Sequence, residues 1–316
     1  MLIRKAERVV RNWHSDSRVW DRLEPRPGDI IVCTAPKCGT TWTQRVVSML
    51  MLQSPAPVPV MEWHPWLDAF FIPHDIVIPM LNAAPGRRML KTHLPFDAMP
   101  FHDDTLYIHV ARDPRDACMS FHNHENGLTD HALAAMDAQG LGIPGLAAPY
   151  PRPLADPHDF FRRWLRDPAF APFDDWTCAE YFELQRSYWA VRHQPNVLMV
   201  HYNDLKADLD GEMRRIATFI GVETPAALWP ELVEAAGFAA MRRDGDTLLG
   251  MAAQSWKEGG KTFMNKGTND RWRAVLTDAD LADYAAAASA GMSPALRAWT
   301  EAGRHLAGDP VALPDR

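Results

Sequence analysis

The chain has 316 residues, 47% apolar and 23% charged, with a formal net charge of −7. That length allows one large α/β domain or two small ones, and the acidic balance disfavours general nucleic-acid binding, which needs a basic face. No apolar run nears the roughly 20 residues that cross a bilayer, so no membrane span is expected.

The N-terminus, MLIRKAERVVRNWHSDSRVW, is charged and amphipathic and lacks the apolar stretch of a signal peptide. Cys33, Cys38, Cys118 and Cys178 show no C-x-x-C spacing, which predicts free thiols. Together these features predict a cytoplasmic protein. DIIVCT (Asp29–Thr34) is a short apolar run of the kind that forms a buried parallel strand. TTWTQRVVSMLML then carries apolar residues at helical spacing behind a Thr cap. A Pro- and aromatic-rich insertion over 54–80 precedes a second strand, RMLKT (Arg88–Thr92). LYIHVA (Leu106–Ala111) is the third strand, and Pro114 opens a helix behind it. A Gly-, Ala- and Pro-rich insertion follows over 127–160. Both insertions read as ordered loops or short helices over the sheet edge, the usual material of binding walls.

WTCAEYFELQRSYWAVRHQ is an amphipathic helix, NVLMVHY (Asn196–Tyr202) a fourth strand, and LDGEMRRIATFIG a helix stopped by Gly221. The alternation predicts an α/β fold: a P-loop-like, doubly wound parallel sheet of about five strands flanked by helices. One domain is expected over 1–316, with its core at about 29–277 and a helical extension over 278–316. Ligands of such sheets sit at the carboxyl ends of the strands.

The turn after the first strand, TAPKCGTTW (Thr34–Trp42), has the parts of an anion cradle. A helix N-terminus offers unpaired N–H groups, a Gly allows close approach, two Thr add hydroxyls, and Lys37 adds a movable charge. The Lys precedes the Gly, unlike the usual G-x-x-x-x-G-K-[ST] order. A plain helix cap with a coincidental Lys is the bland alternative. RMLKTHLP adds Lys91 and His93, which alternate along a strand and so point the same way. A Lys beside a His favours an anion near both. HVARDPRDACMSFHNH adds Arg112 at the end of the third strand and Ser120 two turns into the next helix. Arg suits a phosphate through its forked donors, although Arg112 could instead pair with Asp113 or Asp116.

At these residues the sequence resembles the cytosolic sulfotransferases, which use 3′-phosphoadenosine 5′-phosphosulfate (PAPS). TAPKCGTTW is similar to the family's Y-P-K-[ST]-G-T-T-W loop, KTHLP to its catalytic-histidine segment, and VARDPRDACMSFHNH to its 3′-phosphate segment. YNDLKADLDGEMRRIATFIG resembles a further family stretch, and FMNKGTNDRWRAVLT the R-K-G-x-x-G-D-W-[KR] segment that closes over the nucleotide. The matches run in family order from about residue 29 to residue 277. Ala35 stands where the pattern has Tyr, Cys38 where it has Ser, and Asn265 where it has Arg. The family's dimer-forming segment is not recognisable, which leaves the oligomeric state open.

The resemblance implies PAPS as sulfuryl donor and no required metal. Lys37, Lys91 and His93 would be catalytic, His93 as the general base. Gly39, Thr40 and Thr41 would cradle the 5′-phosphate, and Arg112 and Ser120, with Asn265, Lys266 and Gly267, the 3′-phosphate. Trp42, Phe238 and Tyr202 would hold adenine. The acceptor would be a small, largely hydrophobic alcohol, phenol or amine near Trp63, Phe96 and His124, with Trp66 and Phe121 close by. Phe70 and Phe71 read as core. His122 and His124 lie two apart on a helix and face different ways, so they are not a metal pair. The alternatives are a P-loop small-molecule kinase and a non-catalytic nucleotide-binding relative.

Overall fold

The computed structural model describes residues 1–144, 147–166 and 176–314. Six strands occur among them: β1 (Leu2–Arg4), β2 (Ile30–Thr34), β3 (Met89–Thr92), β4 (Phe101–His102), β5 (Leu106–Ala111) and β6 (Val197–His201). The main sheet is parallel, in the order β3-β2-β5-β6, and β1 pairs antiparallel with β4 outside it. All four strands read from the sequence are present, and the expected fifth parallel strand is not found among the described residues.

The central strand shows why the sequence reads as unbroken apolar runs. Ile31 and Cys33 pack into one core with Leu90, Tyr107, the helix Cys178–Trp189 and Trp299. Ile30 and Val32 pack into a second core with Ile108, Val110, Val200 and the helices Thr40–Leu52 and Leu209–Phe219. Successive residues of a strand face opposite sides, so a sheet covered on both faces needs apolar residues at every position. β2 is fully buried throughout.

The order of strands decides where a ligand binds. From β2 the chain crosses to β3 on one side, then to β5 on the other. That reversal opens a crevice at the carboxyl ends of β2 and β5, the switch point of a doubly wound sheet.

The two insertions fold as short helices, Val60–Trp63 and His74–Ala83 in the first and Asp130–Gly142 in the second. Beyond residue 277, the helices Asp278–Gly291 and Pro294–Ala302 bring Tyr284 and Trp299 into the same core as the sheet. No helix of the described residues is long and apolar enough to cross a membrane.

Candidate active site

A cavity of about 580 Å³ opens at the carboxyl ends of the four parallel strands. Its base is the loop after β2. Lys37 and Gly39 both adopt left-handed backbone, with φ of 65° and 105°. A Cβ on Gly39 would stand 3.0 Å from the Tyr202 ring, so the close approach of loop and ring requires glycine. Gly39 is also the cap of the helix Thr40–Leu52 and, having no side chain, makes no capping hydrogen bond to the helix's first N–H groups. Those donors, with the hydroxyls of Thr40 and Thr41, are the features that favour an anion.

Cys38 turns the other way. It is fully buried, with Sγ 3.3 Å from the Tyr181 hydroxyl, which in turn donates to the Arg112 carbonyl. Cys38 therefore ties the loop to the end of β5 and lies outside the cavity lining. Ala35 borders a void of about 20 Å³ walled by Phe121, Trp164 and Trp176, so aromatic bulk reaches this spot from elsewhere in the chain.

Lys37, Lys91, His93 and Arg112 converge on the cavity, and the recorded partners of the three cations are uncharged. Lys37 Nζ lies 3.2 Å from His124 Nδ1 and 4.3 Å from the centre of the Phe263 ring. Lys91 Nζ sits 5.5 Å above Trp66. Arg112 covers the Tyr202 ring at 4.1 Å and donates to the carbonyls of Lys37 and Thr268 and to Asn269 Oδ1, while its buried Nε has no partner among the described residues. Burial, reinforced by the other cations, pushes Lys37 down to about 7, and burial lowers Lys91 to about 8. Among the described residues, Glu125 and Asp68 act on Lys37 and Lys91 without an ion-pair contact, and buried cations with no counter-charge in contact favour an anion among them.

His93 is held in one tautomer. Its Nδ1 lies 2.7 Å from the Thr34 carbonyl oxygen, a pure acceptor, so Nδ1 carries the hydrogen and Nε2 keeps the lone pair. Trp66 packs edge-on against the ring at 4.6 Å. Burial first, then Lys91, lowers His93 to about 3, which keeps it neutral.

Most residues read from the sequence line this cavity: Lys37, Gly39, Thr40, Thr41, Trp42, Lys91, His93, Arg112, Ser120, His124, Tyr202, Phe238 and Gly267. Trp42 and Tyr202 meet edge to face at 5.4 Å, and the Trp42 indole donates to the Ala236 carbonyl at 2.8 Å. A Cβ on Gly267 would come within 2.4 Å of the Phe238 ring. His122 Nε2 reaches the Ala155 carbonyl oxygen while His124 enters the cavity, so the two histidines part as expected for neighbours two apart on a helix.

Four expected contacts fall elsewhere. Phe96 is 2% exposed and packs on Phe101, Tyr107 and Tyr188, because the turn after β3 folds it beneath the sheet. Trp63 is 52% exposed on its short helix and does not line the cavity. Asn265 takes a left-handed turn, its carbonyl accepts from Arg242, and neither it nor the exposed Lys266 reaches the lining. Lys206 lines it instead, donating to the Gly267 carbonyl at 2.8 Å. Phe71, expected in the core, is 57% exposed and borders the cavity mouth against Trp66.

The remaining walls were not legible: Trp13 and His14 from the N-terminal segment, Glu125, Tyr150, and Trp256 and Phe263 late in the chain. Glu125 adjoins the segment that ends at His124, and Phe263 opens the segment FMNKGTNDRW, but neither position is one that the family pattern specifies.

A sulfotransferase domain model matches residues 27–293. The chain belongs to the sulfotransferase family. A glycolipid sulfotransferase of Mycobacterium bovis is 31% identical over 313 residues, covering 95% of this chain and 96% of that one. Among solved structures, retinol dehydratase in complex with retinol and PAP superposes with a TM-score of 0.66 at 22% identity, covering 88% of this sulfotransferase and 84% of that chain. A mouse sulfotransferase complexed with PAP gives 0.65 at 16% identity, covering 92% and 94%. The fold is thus that of the sulfotransferases, and the chain is an enzyme of that family.

Proposed function

We propose that this sulfotransferase moves a sulfuryl group from PAPS to a hydroxyl, or an amine, of a small and largely hydrophobic acceptor, with His93 as general base. The observation that carries the reading is the His93 ring, locked through Nδ1 on the Thr34 carbonyl in a cavity shared with Lys37 and Lys91. When bound, PAPS supplies the sulfuryl group and a phosphate leaving group.

The protein's own residues divide the work. His93 Nε2 takes the proton of the acceptor as its oxygen attacks sulfur. A His at about 3 is a weak base, and a bound polyanion beside it raises it again, because opposite charge favours the protonated ring. Lys37 meets the oxygen released from sulfur, where negative charge grows in the transition state. Lys91 neutralises phosphosulfate oxygens. The uncapped helix start with Thr40 and Thr41 holds the 5′-phosphate, and Arg112, with its spare Nε, and Ser120 hold the 3′-phosphate. Trp42, Tyr202 and Phe238 border the adenine position.

Beyond His93 the walls are aromatic and aliphatic, with Trp66, Trp176, Leu128 and Met136 among them. Such a chamber suits an apolar or amphiphilic acceptor, and the activity named for the mycobacterial relative is of that kind. The test has two arms. Adenosine 3′,5′-bisphosphate should raise the melting temperature and ATP with Mg²⁺ should not; the reverse would favour a kinase. Labelled sulfate from PAPS should reach at least one member of a panel of alcohols, phenols, amines and alkyl glycosides. Tight bisphosphate binding without any turnover would point to a non-catalytic relative.

A further inference from the structure

One buried acid takes no part in that chemistry. Glu125 follows His124 on the helix Pro114–Asn126, is 5% exposed, and lines the cavity. The Tyr150 hydroxyl donates to its Oε2 at 2.6 Å, the only recorded hydrogen bond to this side chain among the described residues. Tyr150 is itself buried and packs edge-on against Trp13 at 4.7 Å. Burial pushes the Glu125 carboxyl up to about 7, with Lys37 pulling the other way. The carboxyl stands in an aromatic chamber with Oε2 held by Tyr150, and Oε1, which has no donor among the described residues, is open to the cavity and free to accept from a ligand.

The surrounding charges narrow the ligand. Lys37, Lys91 and Arg112 line the same cavity and repel a cationic acceptor. Glu125, when ionised, repels an anionic one, and burial of the carboxyl opposes a second negative charge beside it. A neutral hydroxyl satisfies the carboxyl without either penalty. Leu128, Ala132 and Met136 line the same cavity, pack in one apolar cluster with Tyr150, and offer an apolar bed for a chain or ring.

We propose that Glu125, positioned by Tyr150, selects the acceptor: it accepts a hydrogen bond from a second hydroxyl of a neutral amphiphilic polyol whose first hydroxyl lies at His93. This rests on the sulfotransferase reading above and adds the acceptor's second polar point.

The experiment uses the full chain saturated with adenosine 3′,5′-bisphosphate. n-Decyl β-D-glucopyranoside and 1-decanol are titrated below their aggregation concentrations, with tryptophan fluorescence as readout. The wild type should bind the glycoside more tightly than the alcohol. Glu125→Leu should weaken glycoside binding about ten- to a hundred-fold, the worth of a hydrogen bond to a charged group, and leave decanol within about two-fold. Glu125→Gln, which keeps the shape and an acceptor oxygen, should fall between; it also serves where Glu125→Leu does not fold. Equal loss for both ligands, no loss for the glycoside, or no glycoside binding by the wild type overturns the proposal. Loss of bisphosphate binding by the wild type instead strikes the donor assignment, so the two failures are distinguishable.

Discussion

At one end of the cavity, the charged groups stand on the carboxyl edge of the parallel sheet: Lys37 after β2, Lys91 and His93 at the end of β3, Arg112 after β5. The other end of the lining comes from separate stretches of chain, among them Trp13, Trp66, Glu125, Tyr150, Trp176 and Trp256, and it meets the first where Trp66 packs against His93 and Lys91. The first end is cationic, hydrogen-bonded and fixed by backbone geometry. The second is aromatic and held by side-chain packing, such as His14 stacked on Trp176 at 3.8 Å. A sheet edge can hold a common donor in one geometry. An assembly of loops and short helices can vary its acceptor without disturbing that edge.

The largest effects should come from the sheet edge. His93→Ala removes the base and should lower kcat by about 10²- to 10⁴-fold, with adenosine bisphosphate affinity unchanged; near-normal turnover would remove His93 as base. Lys37→Ala should cost about 10²- to 10³-fold in kcat, the usual worth of one transition-state donor. If it alters only the KM for PAPS, the lysine binds the ground state and the assignment to the developing charge fails. Both losses should be similar for every acceptor. A loss that varies with the acceptor would break the division of the cavity into two ends.

That division also explains what could be read in advance. Lys37, Gly39, Lys91, His93, Arg112 and Ser120 sit at strand ends or helix starts, where backbone geometry ties position in sequence to position in space. Trp13, Tyr150 and Trp176 reach the cavity through tertiary packing, which leaves no periodic trace in the chain. The error over Phe96 has the same origin. KTHLPF places it three residues after His93, yet the turn sends it under the sheet onto Tyr107. Proximity in sequence carried its assignment, and burial decided otherwise. Phe96→Ala should therefore cost about 3–5 kcal/mol of stability, measured by denaturant unfolding, and Phe96→Leu should leave acceptor KM unchanged. A shifted acceptor KM with unaltered stability would return Phe96 to the site.

The charges at the sheet edge predict a pH dependence with a definite sign. Lys37 and Lys91 are lowered to about 7 and 8 in the ligand-free cavity, mainly by burial. Above these values the lysines lose their protons, and an anion bound beside them restores the charge. Adenosine bisphosphate should therefore bind more weakly as pH rises from 6.5 to 9, by at most about tenfold per pH unit for each lysine. Binding should take up protons near pH 7.5, detectable as calorimetric heats that vary with buffer ionisation. His93, at about 3 in the ligand-free cavity, should add no acid limb above pH 4 to kcat/KM for PAPS, which reports the free enzyme. Proton-neutral, pH-independent binding would show that the lysines are already fully charged.

The smallest effect concerns which lysine serves the 3′-phosphate end. The sequence pattern points to Lys266, which is exposed and outside the lining. Lys206 starts from a different element, the helix Tyr202–Ala207 behind β6, and although it is also exposed it lines the cavity. It donates to the Gly267 carbonyl at 2.8 Å, while Arg112 donates to the neighbouring Thr268 carbonyl at 3.2 Å. Burial and then Arg112 lower Lys206, as expected of two neighbouring cations. Lys206→Ala should thus weaken adenosine 3′,5′-bisphosphate about three- to tenfold and spare adenosine 5′-phosphate, which lacks the 3′ group. Lys266→Ala should change neither by more than about twofold, as is usual for an exposed lysine without an ion pair. If the two variants behave alike, the backbone around Gly267 bends toward the nucleotide on binding and carries Lys266 with it. If Lys206→Ala weakens both nucleotides equally, the lysine supports the loop and not the 3′-phosphate.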